Sequence, residues 1–167
     1  MDYPMKYQSV FRPGLFAGQI IIVTGGGSGL GRCTAHELAS LGATVALVGR
    51  KIEKLNAVQQ EIMTAGGKAS VHVCDIRDEA LVRSMVSTVL AQHGAIHHLV
   101  NNAGGQFPAL ARNLTLNGWE AVIKNNLTGG FLVSRECYTQ WMEAHGGAIV
   151  NIIADIWGGM PHMAHSG

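Results

Sequence analysis

A chain of 167 residues and 17.7 kDa has the size of one domain. Apolar residues make up 47% and charged residues 14%, which supplies a core and excludes a disordered tail or a solvated charge-rich helix. Twelve Lys and Arg against eleven Asp and Glu leave a net charge of +1, so there is no cationic surplus to hold a nucleic-acid backbone.

Residues 1–18 read as an N-terminal extension: Asp2, Lys6 and Arg12 interrupt it, and no apolar stretch makes it a secretory signal. Ile20-Ile21-Ile22-Val23 falls far short of the roughly 18 apolar residues of a membrane span, so no membrane association is expected. Cys33, Cys74 and Cys137 are odd in number, widely spaced and without a CxxC pair. That fits a reducing compartment, and a cytoplasmic location is expected.

Ile20–Thr24 is a compact apolar run ending in glycines, the pattern of a strand buried on both faces. Leu30, Thr34, Leu38 and Leu41 then share one helical face, stopped at Gly42. Thr44–Val48 reads as a second strand. Ile52, Leu55, Val58 and Ile62 predict a second helix ending at Gly66-Gly67, and Ala69–Cys74 a third strand. Leu81, Met85 and Val89 predict a third helix, with Asp78 as N-cap and Gly94 as stop. Ile96–Val100 is a fourth strand, followed by a loop over Asn101–Phe107. A long helix is expected from about Gly118 to His145, carrying Trp119, Val122, Ile123, Phe131 and Trp141 and interrupted at Thr128-Gly129-Gly130. Trp119, Trp141 and Met142 are expected to pack in the core. Ala148–Ile153 reads as a fifth, buried strand, and Ala154–Gly167 as a loop. Strands separated by helices require right-handed crossovers and hence an α/β, doubly wound parallel sheet.

Three motifs carry chemistry. Thr24-Gly25-Gly26-Gly27-Ser28-Gly29-Leu30-Gly31 links the first strand to the first helix. Glycines there let backbone amides approach a pyrophosphate, and the helix start adds its partial positive charge. Gly49-Arg50-Lys51 ends the second strand, where a dinucleotide fold meets the adenosine ribose. An acid there would bind the 2′-hydroxyl; Arg50 instead suits a 2′-phosphate and favours NADP(H) over NAD(H). The competing reading is a solvated start to the second helix. Leu99-Val100-Asn101-Asn102-Ala103-Gly104 follows the fourth strand.

With these motifs in this order, and Asp75 after the third strand, the chain resembles the short-chain dehydrogenase/reductase family from Phe16 onward. The resemblance implies a Rossmann-like fold in residues 19–167, breaking off after the fifth strand before the last strands and the substrate-binding part. It implies that Gly25, Ser28, Gly29, Leu30 and Gly31 hold the pyrophosphate and adjoining ribose, Arg50 the 2′-phosphate, Asp75 and Ile76 the adenine, and Asn102, Ala103 and Gly104 the cofactor's inner face. Asn126, in Asn125-Asn126-Leu127, matches the asparagine that disturbs the long helix and anchors a proton relay.

The stretches 102–107, 145–153 and 165–167 resemble the branch of peroxisomal trans-2-enoyl-CoA and 2,4-dienoyl-CoA reductases. That branch implies NADPH and hydride transfer to an unsaturated acyl-CoA; a secondary alcohol or ketone is the alternative substrate. Members are commonly dimers or tetramers, so a homo-oligomer is expected. The family's usual serine after the fifth strand is replaced by Ala154-Asp155, and Ser166 stands where the tyrosine of YxxxK belongs, with the lysine beyond Gly167. Asn126 and Ser166 are thus the catalytic candidates. If the protein ended at Gly167 it would instead be a nucleotide-binding module without turnover. His97-His98 and His162-x-x-His165 lack further ligands nearby, so no metal is expected.

Overall fold

The computed structural model describes residues 9–154 together with Gly158 and His162. Five parallel strands form one sheet in the order β3-β2-β1-β4-β5: β1 (Ile20–Thr24), β2 (Thr44–Gly49), β3 (Lys68–Val73), β4 (His98–Asn101) and β5 (Ala148–Asn151). The chain steps outward from β1 to β3, then crosses back to place β4 on the other side of β1. That reversal opens a crevice at the carboxyl ends of β1 and β4.

Because side chains alternate along a strand, β1 feeds two cores. Ile20 and Ile22 pack with Ala46 and Val48 against α3 (Glu79–His93) and α5 (Gly129–Cys137). Ile21 and Val23 pack with Val45 and Leu47 against α1 (Gly29–Ser40) and α2 (Ile52–Thr64). Each fully buried Ile, Val or Leu contributes about 1.5–3 kcal/mol, which is why β-branched runs hold the centre of the sheet. Phe16 joins the second of these cores, and its amide donates to the Leu41 carbonyl at 3.0 Å.

Several helix faces differ from those expected. On α1, Leu38 packs on the core and Leu41 just after it is buried as expected, but the fully buried helix residues are Gly31, Ala35 and Ala39, and Leu30 is 68% exposed. Small residues bring this helix close to the sheet, which a search for large apolar side chains misses. In α2, Leu55, Val58 and Ile62 are buried as expected but Ile52 is exposed. In α3, Val82, Met85, Val86 and Val89 face inward and Leu81 faces out. The caps are as expected there: Asp78 accepts from the Leu81 amide at 3.0 Å, and Gly94 closes the helix in the left-handed conformation.

The long helix is interrupted earlier than expected. After α4 (Leu116–Val122), residues Ile123–Thr128 widen into π-helical turns, regular geometry returns through α5, and a second π segment (Tyr138–Met142) leads into α6 (Glu143–His145). Gly129 lies inside regular helix, where a methyl group would come within 2.7 Å of Ile76. Met142 is buried and Trp141 packs on the core, but Trp119 and Phe131 are exposed. The fifth strand is shorter than predicted and exposed rather than buried; among the described residues only β4 pairs with it, on one side.

Candidate cofactor-binding cleft

The glycine turn is built by close packing. Gly25 has a φ of +67°, and a side chain on it would strike Asn102 Nδ2 at 2.8 Å. A methyl on Gly31 would lie 2.4 Å from the same nitrogen and 2.4 Å from the Gly25 carbonyl oxygen. Thr24 ties the second loop to this turn: its Oγ1 accepts from the amides of Asn102 (2.9 Å) and Ala103 (3.0 Å) and donates to the Val100 carbonyl. Asn102 Nδ2 returns a bond to the Thr24 carbonyl at 2.9 Å. The ends of β1 and β4 are thereby locked at the switch point of the sheet.

In front of this lock lies an open cleft of about 280 Å³. Gly25, Gly27 and Ser28 form one wall; Arg50, Lys51 and Lys54 form a cationic rim. Cys74, Asp75 and Ile76 make the third side, and Asn102, Ala103 and Gly104 the fourth, with Asn125 at the edge. Gly29, Leu30 and Gly31 are not among the lining residues; they form the first turn of α1 just behind the wall. The Ser28 hydroxyl makes no capping bond. Amides at the start of this 12-residue helix have no intrahelical acceptor and suit an anion in the cleft.

Two lining groups, Asp75 and Cys74, titrate away from their ordinary values. The Arg77 guanidinium beside Asp75 holds its carboxyl down to about 2, more than partial burial raises it. Burial pushes the Cys74 thiol up to about 11, with Asp75 and Asp78 adding to the effect, so this cysteine is a protonated wall residue and not a nucleophile. Sequence reasoning missed Lys54. It sits one turn into α2, and its Cβ lies 3.1 Å from where a methyl on Gly27 would be.

Asn126 lies outside the lining, in the first π segment, and clamps the loop after Gly104. Its Nδ2 donates to the Gly105 carbonyl and its Oδ1 accepts from the Gly105 amide, both at 2.9 Å. Ile76 is buried between the cleft and Gly129. Asn101 also joins elements, donating through Nδ2 to Ser134 Oγ at 2.8 Å and Asn151 Oδ1 at 2.9 Å. Ser166, Asp155 and His165 lie outside the described residues. His97 Nδ1 accepts from the Ile20 amide, and among the described residues no three His, Cys, Asp or Glu side chains group to hold a metal. No described helix is long and apolar enough to cross a membrane.

This arrangement fits a dinucleotide: an amide-lined turn for two phosphates, cations beside the strand end where a ribose would lie, and a carboxylate on the adenine side. The profile of the family described as short chain dehydrogenase matches residues 19–164. Among curated proteins, the chain is 30% identical to a peroxisomal 2,4-dienoyl-CoA reductase of Danio rerio, over 97% of this chain and 55% of the relative. It is 38% identical to a glucose 1-dehydrogenase of Gluconobacter oxydans, over 81% of this chain and 52% of the relative. The chain therefore spans little more than half the length of these relatives. A solved citronellol catabolism dehydrogenase of Pseudomonas aeruginosa PAO1 superposes with a TM-score of 0.92 at 59% identity, covering 96% of this chain and 66% of that one. A metagenomic short-chain oxidoreductase solved in complex with NADP gives a TM-score of 0.84 at 37% identity, covering 90% and 69%.

Proposed function

The chain belongs to the short chain dehydrogenase family, and we propose that the full-length protein is an NADP(H)-dependent oxidoreductase acting on an unsaturated acyl-CoA. The observation that carries the cofactor assignment is the cationic rim of Arg50, Lys51 and Lys54 at the end of β2, where an NAD-selective site would place an acid. The relative solved with NADP supports the same assignment.

In this reading the amides of the glycine turn and α1 hold the pyrophosphate, with Gly25 and Ser28 against it. Arg50 binds the 2′-phosphate, Asp75 and Ile76 border the adenine, and Asn102 to Gly104 line the inner face. Bound nicotinamide would supply the hydride chemistry. Asn126 holds the loop at Gly105 and, with Ser166, belongs to the proton path. We place the enzyme in the cytoplasm as a dimer or tetramer, on its unpaired cysteines and its family resemblance respectively.

The acyl-CoA assignment draws on the dienoyl-CoA reductase relative and on Ser166 standing in the tyrosine position. A second reading, oxidation of an alcohol, is favoured by the 59% identity to the citronellol catabolism dehydrogenase. The two separate in one assay of the full-length protein. NADPH oxidation is followed with crotonyl-CoA and with simple ketones, and NADP⁺ reduction with citronellol. Turnover on the thioester is expected. No turnover on any acyl-CoA, with citronellol or a ketone consumed, would overturn the first reading in favour of the second.

A further inference from the structure

Asp75 is the one acid among the described residues lining the cleft, and it faces a rim of three cations. Arg50 lines the same cleft, so this carboxylate and that guanidinium share one space, and opposite charges brought together there favour pairing with each other. The carboxylate is instead occupied from outside the cleft. Arg77, which is not a lining residue, donates from Nε to Asp75 Oδ1 at 2.9 Å and to Oδ2 at 3.2 Å, and from Nη2 to Oδ2 at 2.5 Å. The Arg77 amide adds a bond to Oδ1 at 3.1 Å. Both carboxylate oxygens are engaged by a planar fork, the strongest geometry a carboxylate has for an arginine. Arg50, Lys51 and Lys54 make no ion pair among the described residues; the acids nearest in the chain to Asp75 are served by other groups, Asp78 capping α3 and Glu79 pairing with Arg135.

We propose that Arg77 is a positioning residue for cofactor selectivity: by holding Asp75 in this fork, it keeps Arg50 available for the 2′-phosphate of NADP(H). The proposal rests on the NADP(H) reading of the cleft. Selectivity here is a difference between two affinities, so a group that never touches the cofactor alters it by changing the partner of one that does.

The test is a double-mutant cycle read as dissociation constants for NADPH and NADH, with adenosine 2′,5′-bisphosphate and AMP isolating the adenosine half. Arg77→Ala is expected to weaken NADPH and the bisphosphate about five- to tenfold, and NADH and AMP by less than about twofold. In an Asp75→Asn background the same Arg77→Ala change is expected to shift NADPH by less than about twofold, because no carboxylate remains to capture Arg50. Arg77→Lys, which keeps the charge and loses the fork, is expected to restore part of the selectivity. Equal weakening of NADPH and NADH by Arg77→Ala overturns the proposal, as does an undiminished loss in the Asp75→Asn background, which would make Arg77 a direct phosphate ligand. A wild-type protein binding NADPH and NADH equally would overturn the NADP(H) reading itself, a result distinct from either.

Discussion

Gly31 and Asn102 are in contact with no room between them: a methyl on Gly31 would lie 2.4 Å from the Asn102 amide nitrogen. That nitrogen cannot retreat, since it donates to the Thr24 carbonyl at 2.9 Å, and the Gly25 carbonyl crowds the same position at 2.4 Å. Gly31→Ala must therefore spread the glycine turn away from the loop at Asn102. The expected cost is about 1–3 kcal/mol, as for an overpacked core, with a fall in Tm of at least about 2 °C. NADPH affinity should fall at least about tenfold, because the phosphate amides move with the turn. Calorimetric melting and titration with NADPH check both, and wild-type values for the variant would remove the steric argument.

Arg50 is the second test. It follows directly on β2, which ends at Gly49, and it lines the cleft with Lys51 and Lys54. A charge-assisted bond to a phosphate is worth about 1.5–3 kcal/mol, so Arg50→Ala should weaken NADPH about ten- to a hundredfold. NADH lacks the phosphate, and its dissociation constant should change by less than about twofold. Lys51 and Lys54 remain in the variant and set the residual preference. Equal losses for the two cofactors in a fluorescence titration would refute the phosphate role.

The strands were legible because a parallel sheet covered on both faces demands near-continuous β-branched runs, and Ile20–Thr24 and Thr44–Gly49 are such runs. The glycine turn was legible for a related reason. Its residues are fixed by contacts that admit no side chain, so the spacing of Gly25 and Gly31 records the geometry. Burial on α1 was legible in part: Leu38 packs on the core and Leu41 is buried, as their spacing implied, but Gly31, Ala35 and Ala39, which complete the contact surface, carry little hydrophobic signal. Leu30 carries that signal and points to solvent. β5 misled in the opposite sense: Ala148–Asn151 has the composition of a central strand, yet its burial depends on what lies on its free side and over its faces, which local sequence does not state.

The site divides in the same way. The residues of the turn and of Asn102 to Gly104 follow from motif order, whereas Lys54, in the first turn of α2, lines the cleft without belonging to any motif. The widening at Ile123–Thr128 also had a trace in the sequence, an Asn pair within a helix. Asn126, expected by resemblance to disturb the helix, lies inside the widened segment, whereas the interruption expected at Thr128-Gly129-Gly130 was placed too late because the two glycines looked like the weaker point. Gly129 proves to be a contact with Ile76, compatible with a regular helix.

Asn126 makes a prediction that separates structure from turnover. Its side-chain amide exchanges two bonds of 2.9 Å with the backbone of Gly105, so Asn126→Ala leaves that loop without its tether. These groups are exposed to water, which replaces part of what is lost, and the expected global destabilisation is about 1 kcal/mol. The local effect is larger. Hydrogen exchange at the Gly105 amide should accelerate at least about tenfold while the amides of β4 stay protected. In the proposed function the residues up to Gly104 line the cofactor's inner face, so the full-length protein should lose kcat more than it gains in KM. Unchanged exchange at Gly105 would show that the tether does not hold the loop.

Ser70 Oγ lies 2.8 Å from His72 Nε2 and 2.9 Å from His93 Nε2, placing one hydroxyl between two imidazoles on the buried side of β3. A single hydroxyl can donate to one neutral ring and accept from the N–H of the other, which satisfies all three groups without charge. Burial, and the neighbouring His93, push the His72 imidazole down to about 4 from an ordinary 6.5, and burial lowers His93 as well. The folded chain therefore binds fewer protons than the unfolded chain between pH 6.5 and about 4. Stability is full above that interval and falls as the pH is lowered through it, by up to about 3 kcal/mol from His72 at about 1.4 kcal/mol per pH unit. His72→Gln retains an amide partner for Ser70 but does not titrate. Urea unfolding between pH 7.5 and 4.5 should show a shallower loss for this variant than for wild type, even if its stability at neutral pH is lower. Parallel pH profiles for the two proteins would show that the acid sensitivity of the fold lies elsewhere.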